Sequence, residues 1–573
     1  MHRFLCLALS VLVLPLAAQK KTELPPEIIE SVEQRIAYGI NPSIAIGVID
    51  EDGPRYYSFG QTTPGGDPVD EHSIYEIGSI TKTFTAALLM HMVDQGLMHL
   101  DDPVSIHLPD KVSVPARDGK KITLAQLSDH TSGLPRMPDN FTPANPLNPY
   151  ADYTVEQMYD FVSGHTLRRD PGAEYEYSNL AQGLLGHILE LKSGKTYEQL
   201  MIDEIAAPLG MHETRITLTP HMRQHLALPH SNGIQVENWD IPTLAGAGAI
   251  RSSVHDMLIY LGAQLGLIDS PMYLAMKATQ QVRHDKAGNT RVGLGWHLIE
   301  GSKGDIITHT GGTGGYLTFA GFVRETNTGV VVFTNSTAAA GDIGLRLLDP
   351  ETELSPVKKP VTTMLRSLID SEGPEAAVKA ARKAWDEERD NYDFDERDIN
   401  SLGYTYLESG KVEPALAIFK LNIELYPDAW NTYDSYGEAL LANGQKELAI
   451  ENYQKSIELN PGNTVGIAAL EKMGVKVESR ALEIPTGILE QYVGVYEMMP
   501  GFDIEVTHTD GQLSIQATGQ PRVEIYPKSE TEFYLTVVNA QIRFNPGPDG
   551  GTESLTLFQG GQELTGERKE QKP

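Results

Sequence analysis

Ser79, Lys82, Tyr177 and His309 are the residues whose types and spacing could do chemistry in this chain. They fall in three short motifs, Ser79-Ile80-Thr81-Lys82, Tyr177-Ser178-Asn179 and His309-Thr310-Gly311. Together these supply a hydroxyl nucleophile, two candidate proton carriers and a set of strand-edge donors, which are the parts needed for acyl transfer through a covalent serine ester. Each motif alone is a weak signal. Ser355-Pro356-Val357-Lys358 repeats the Ser-x-x-Lys spacing, but its proline falls where a catalytic helix would have to run.

The surroundings of Ser79 favour chemistry. From Ile80 to Val93 the chain reads as a buried helix carrying Phe84, Ala86, Ala87, Leu88, Leu89, Met90 and Met92, with Gly96 as a stop. Ser79 is then expected at the helix N-terminus, where free backbone N–H groups face a developing negative charge. Lys82, three residues on, shares its face. A lysine in so apolar a setting loses proton affinity and can serve as a base.

With these motifs the chain resembles the serine β-lactamase and penicillin-binding-protein superfamily, most closely class C β-lactamases, D-alanyl-D-alanine peptidases and related esterases. The resemblance spans roughly residues 25–350. It includes Leu127-Ser128-Asp129-His130-Thr131-Ser132-Gly133-Leu134-Pro135, Ala245–Met257, Gly293–Trp296 and His309–Tyr316. It implies that Ser79 attacks a carbonyl and that Lys82 and Tyr177 handle its proton. Asn179 would bond Lys82 or a substrate amide, and His309, Thr310, Gly311 and Gly312 would bind substrate. The oxyanion hole would be the backbone N–H groups of Ser79 and Gly312. To act as base Tyr177 needs a lowered pKa, which Lys82 and His309 could supply. The third motif commonly begins with lysine, and here it begins with His309. A histidine is charged only part of the time at neutral pH, so it would tune recognition of carboxylate substrates between about pH 6 and 8. This ranks esterase or D-amino-acid-type peptidase above β-lactamase. The alternatives are a penicillin-recognising sensor or scaffold that acylates with little turnover, and a true class C-like β-lactamase or D-Ala-D-Ala carboxypeptidase.

Residues 1–19 read as a secretory signal peptide, with Arg3, an apolar core Phe4–Leu16, and Ala17-Ala18-Gln19. A periplasmic or extracellular location is expected, with no membrane span in the mature chain. Cys6, the only cysteine, lies in this segment, so no disulfide or thiolate site is expected. Neither is a cofactor or metal: His130, His230, His255 and His309 show no zinc-ligand spacing, and His130 reads as a structural hydrogen bonder. The net charge of −31 argues against nucleic-acid partners and anionic lipid. The substrate is expected to be a small molecule or peptide.

The elements that must position the motifs follow a β–α–β order. A helix at Pro25–Tyr38 precedes a hairpin, Ser43–Ile49 and Tyr56–Gly60. A helical section carries Tyr177, and strands return at Gly295–Glu300, Asp305–Thr310, Tyr316–Arg324 and Gly329–Asn335. The expected fold of residues 20–350 is α+β, an antiparallel sheet flanked by helices with a helical subdomain. Residues 351–361 read as a linker. From 362 to 480 a period of 34 pairs Gly403 with Gly437, Ala415 with Ala449 and Pro427 with Pro461, which resembles tetratricopeptide repeats and offers a possible peptide or protein partner surface. Residues 485–573 alternate on a period of two and predict a small antiparallel barrel or sandwich with no catalytic constellation. All the chemistry is expected within residues 20–355.

Overall fold

The computed structural model describes residues 23–286, 290–475 and most of 484–569. The expected leader, 1–19, lies outside the described residues. The hydrolase portion opens with helix α1 (Pro26–Ala37), then strands β1 (Ser43–Asp50) and β2 (Gly53–Gly60) as a hairpin. A short strand β3 (Ile74–Glu76) leads through a 3-10 turn, Gly78–Ile80, into helix α2 (Thr81–Asp94). The helical section carries helix α3 (Asn179–Ser193). Strand β4 (Arg251–Ser253) pairs with β3, and helix α4 (Val254–Leu265) follows. The chain returns to the sheet with β5 (His284–Asp285), β6 (Thr290–Val292), β7 (His297–Gly301), β8 (Gly304–Gly312), β9 (Leu317–Val323) and β10 (Thr328–Thr334), and helix α5 (Gly341–Leu348) closes the region.

These strands make one eight-stranded antiparallel sheet in the order β2-β1-β10-β9-β8-β7-β6-β5. The central strands read as unbroken apolar runs because helices cover both faces. Ile44, Ile46 and Val48 join Ile28 and Val32 of α1 and Ile343 of α5 on one side. Ala45 and Ile49 join Leu258 and Leu261 of α4 and the α2 core on the other. Helix α4 lies so close that a Cβ at Gly47 would stand 2.6 Å from Val254 Cγ1. Helix α2 is buried on every side from Thr81 to Met90, as a helix between sheet and helical section must be. The decoy Ser355–Lys358 is non-helical chain.

The middle region is helical. Glu396–Glu408 pairs with Val412–Leu425, and Trp430–Ala442 with Lys446–Leu459. The 34-residue period has a packing cause. Gly403 sits against the Phe419 ring, and one period later Gly437 sits against the Tyr453 ring, so each repeat closes on an aromatic seated over a glycine. The final region resolves the barrel-or-sandwich alternative as a closed eight-stranded barrel from Gly494–Met499 to Gln562–Arg568. Alternate residues, including Ile504, Val506, Leu513, Ile515, Phe533 and Ile542, fill its core. Among the described residues, no helix is long and apolar enough to cross a membrane.

Candidate active site

Gly78 holds a left-handed backbone with φ of 50° and turns the chain from β3 into the nucleophile turn. Ser79 therefore sits in the 3-10 turn just ahead of α2, one residue earlier than a regular helix start. The turn is pinned from the sheet, where Thr318 Oγ1 donates to the Ile77 carbonyl at 3.0 Å, and the Ile77 N–H donates to Ile250 O at 3.0 Å. Lys82, one helical turn on, is fully buried. Its Nζ lies 3.0 Å from Ser79 Oγ, 2.9 Å from Asn179 Oδ1 and 2.7 Å from the Ala247 carbonyl. Burial, with Arg136 adding repulsion, holds its pKa well below the ordinary lysine value.

Tyr177 and Asn179 flank Ser178, the N-cap of α3, whose Oγ accepts from Ala181 N–H at 2.9 Å and donates to Pro135 O at 2.7 Å. Asn179 N–H donates to Arg136 O at 3.0 Å, so the segment after Pro135 and the tyrosine motif are stitched together. His130 completes the support. Its Nδ1 accepts from Ser178 N–H at 3.1 Å, and its ring lies 4.5 Å from the Tyr177 ring. This is the structural hydrogen bond expected of it. Tyr177 hydrogen-bonds Ser79, and burial pushes its pKa up to about 12, against the lowering influence of that bond and of Arg136. The expectation of a lowered Tyr177 pKa is therefore reversed. Burial lowers the pKa of both Lys82 and His309, which disfavours the cation that either would need to offer Tyr177.

His309, Thr310, Gly311 and Gly312 end β8. Strand β7 pairs with β8 only as far as His297 opposite Thr308, while β9 pairs through Gly312 opposite Leu317. Among the described strands, the edge from His309 to Gly312 on the β7 side is left unpaired, a β-ribbon half that an extended substrate can complete. Two glycines let this strand end reach the nucleophile turn. A Cβ on Gly311 would overlap Ile77 O, and a Cβ on Gly78 would stand 2.7 Å from Gly312 N. The Gly78 and Gly312 backbones thus approach each other closely beside Ser79.

His309 departs from the expected partial charge. It is buried, and desolvation with help from His297 and Lys82 holds its pKa well below the ordinary value. Its Nδ1–H donates to Thr310 O at 2.6 Å, leaving Nε2 as a buried acceptor without a partner among the described residues. Its neighbour His297, whose ring lies 5.2 Å away and whose Nε2 pairs with Tyr175 Oη at 2.9 Å, is pushed down to about 3 by burial.

The groups open onto a cavity of about 1030 Å³. Among the described residues, the cations lining it are Arg136 and Lys286, which the sequence reading missed although Arg136 directly follows the Leu127–Pro135 stretch. One wall comes from the C-terminal barrel, as Asp503 and Thr518 line the same cavity as Ser79. Nearby, Arg168 donates to Gln516 of the barrel at 3.0 Å. Every expected site residue lies within residues 20–355, but the cavity wall does not.

Comparison with known proteins identifies the family of this fold. The Beta-lactamase family profile matches residues 30–349. The chain belongs to that family. A Tetratricopeptide repeat profile matches 431–463, and a domain of unknown function, DUF3471, matches 478–568. The D-alanyl-D-alanine-carboxypeptidase/endopeptidase AmpH of Escherichia coli K12 is 31% identical over 341 residues, covering 56% of this chain and 87% of AmpH. Penicillin-binding protein 4* of Bacillus subtilis is 22% identical over 524 residues, 87% of this chain and 88% of that protein. Among solved structures, the β-lactamase/D-alanine carboxypeptidase of Yersinia pestis complexed with citrate is 28% identical. It superposes with a TM-score of 0.51 over 56% of this chain and 96% of its own.

Proposed function

We propose that this family member is an exported serine hydrolase that opens an ester or amide through an acyl-enzyme on Ser79, with D-amino-acid-type peptides ranked above β-lactams. The contact set of Lys82 Nζ carries the reading. A neutral amine has two N–H bonds and one lone pair. In the neutral form that this reading requires, Asn179 Oδ1 and Ala247 O take the two N–H bonds, and the lone pair is left to accept from the Ser79 hydroxyl, whose Oγ lies 3.0 Å away.

In this account Ser79 Oγ attacks the carbonyl as its proton passes to Lys82. The oxyanion accepts from the Ser79 and Gly312 amides. Tyr177, protonated at neutral pH, gives its proton to the leaving group and regains one from the Lys82 ammonium. Water then attacks the ester by the reverse relay. The substrate backbone extends along the free edge His309–Gly312, and Thr310 and Gly311 supply its polar contacts. A buried neutral His309 is no anchor for a carboxylate. That task passes to Arg136 and Lys286, and His309 Nε2 is left to accept from a substrate N–H. The peptidase activity in AmpH's name supports the same substrate class.

A panel of p-nitrophenyl butyrate, a D-Ala-D-Ala peptide and nitrocefin tests the ranking. Turnover of the ester and peptide should exceed that of nitrocefin. Nitrocefin as the fastest substrate would reverse the ranking, and stoichiometric labelling without turnover would replace the enzyme by the sensor alternative.

A further inference from the structure

We propose that His72, Glu213 and His255 form a binding site for one divalent transition-metal ion, zinc by preference, at the loop that enters β3. The ligand atoms of these three residues lie within 4.8 Å of one another. His72 Nδ1 lies 3.0 and 3.1 Å from the two Glu213 oxygens. Two first-row-metal ligands at bond lengths of about 2.0–2.1 Å stand roughly 3.3 Å apart in a tetrahedron. An ion can therefore take the place of the proton that this pair otherwise shares, with little movement. The His72 and His255 rings are 5.0 Å apart, and the His255 backbone N–H donates to Glu71 O at 3.0 Å, which fixes the two segments side by side.

The supporting residues are those that a histidine–metal site uses. His255 Nδ1–H donates to Asp256 Oδ1 at 3.1 Å, which leaves Nε2 as the free ligand atom and builds a carboxylate–histidine pair. Asp256 is itself buried, and its other oxygen accepts from Glu213 N–H at 2.7 Å, so one carboxylate orients two of the three ligands. Ser253 Oγ donates to Glu213 Oε2 at 2.7 Å and holds the carboxylate plane. His221 Nε2 lies 3.6 Å from Glu213 Oε1 and is exposed, placed to give a fourth ligand or to leave the position to water. The carboxylates of Glu213 and Asp256 place negative charge around the three ligand atoms. The same negative field draws a cation. Nitrogen and oxygen donors in this number suit zinc, and nickel or cobalt second.

The three ligands come from three segments distant in sequence, so spacing along the chain could not reveal the site. They join the loop before β3, the chain after Met211 and the first turn of α4. Only seven positions separate His72 from Ser79. The ion would staple the loop that leads into the nucleophile turn and contribute stability, with no part in bond-making.

The test uses the full chain stripped with a chelator, then titrated with zinc against a chromophoric chelator, with thermal melting in parallel. One zinc per chain should bind, and its addition should raise the Tm. His72→Gln and His255→Gln should each weaken binding by about tenfold or more. The double variant should abolish both stoichiometric binding and the Tm rise, while ester turnover without zinc stays at the wild-type level. Absence of stoichiometric binding to the wild type, or zinc binding undiminished in the double variant, would overturn the proposal.

Discussion

Replacing Gly78 with alanine should disable acylation without touching a group that moves a proton. Two costs can be worked from the structure. The residue holds φ of 50°, so an L side chain there costs about 1–2 kcal/mol. The added Cβ would stand 2.7 Å from Gly312 N and 2.9 Å from Gly312 O, about 0.7 Å inside ordinary contact. The Gly312 backbone cannot rotate away as a side-chain tip could, so the end of β8 must retreat from Ser79. An oxyanion donor works at about 2.7–3.1 Å, and a retreat of that size takes it beyond hydrogen-bond reach. Loss of one such donor costs about 10²–10³ in kcat. Burst kinetics on a p-nitrophenyl ester, run well below the Tm, should show acylation slowed by that factor with the Lys82 pH dependence intact. If the folded Gly78→Ala protein acylates within about threefold of wild type, the Gly312 amide is not an oxyanion donor and the proposed hole is wrong.

Other outcomes follow from the same geometry. For a neutral ester, kcat/KM should fall as pH drops through the depressed Lys82 pKa, because protonation removes the lone pair. Tyr177 keeps its proton at about 12, so no alkaline limb should appear below about pH 10, and a limb near 9 that disappears in Tyr177→Phe would contradict this. Thr518→Tyr on the barrel wall should lower kcat/KM for a D-Ala-ended pentapeptide by about tenfold and leave p-nitrophenyl acetate unchanged. Equal effects on both would remove the barrel from substrate selection. Gly403→Val, whose Cβ would stand 2.5 Å from the Phe419 ring, should destabilise the helical repeats by about 1–3 kcal/mol. Differential scanning calorimetry should show that loss in the repeat transition, with Ser79 labelling retained.

Much of this arrangement was legible in the sequence because it is local. The period-two and apolar runs gave the hairpin and the return strands, and the 34-residue spacing of Gly403 and Gly437 gave the repeat. The Ser79, Tyr177 and His309 motifs are each carried by one turn or one strand end. The charge state of the site was not legible. The motifs predict a Tyr177 pKa lowered by its neighbours and an ordinary, partly charged His309, but the shifts of both are dominated by burial between elements far apart in sequence, which no motif records. Arg136 and Lys286 were missed for the same reason, since a cavity is lined by whatever the fold brings to it. The barrel's Asp503 and Thr518 are the extreme case, more than 400 positions from Ser79 along the chain. The distinction between barrel and sandwich also lay beyond alternation, because closure depends on the pairing of Tyr496 with Arg568 across the whole region.

The central claim is that Ser79 is the nucleophile and a neutral Lys82 its base. Intact-mass spectrometry with a fluorescent phosphonate measures both at once, because the rate of adduct growth reports activation and peptide mapping reports the atom attacked. Wild type should gain one adduct on the peptide containing Ser79, at a rate that falls at acid pH. Ser79→Ala should gain none and lose on the order of 10³-fold or more in turnover. Lys82→Arg, which keeps a permanent cation, should label far more slowly at every pH. An adduct on another residue, or Lys82→Arg labelling as fast as wild type, would contradict the account.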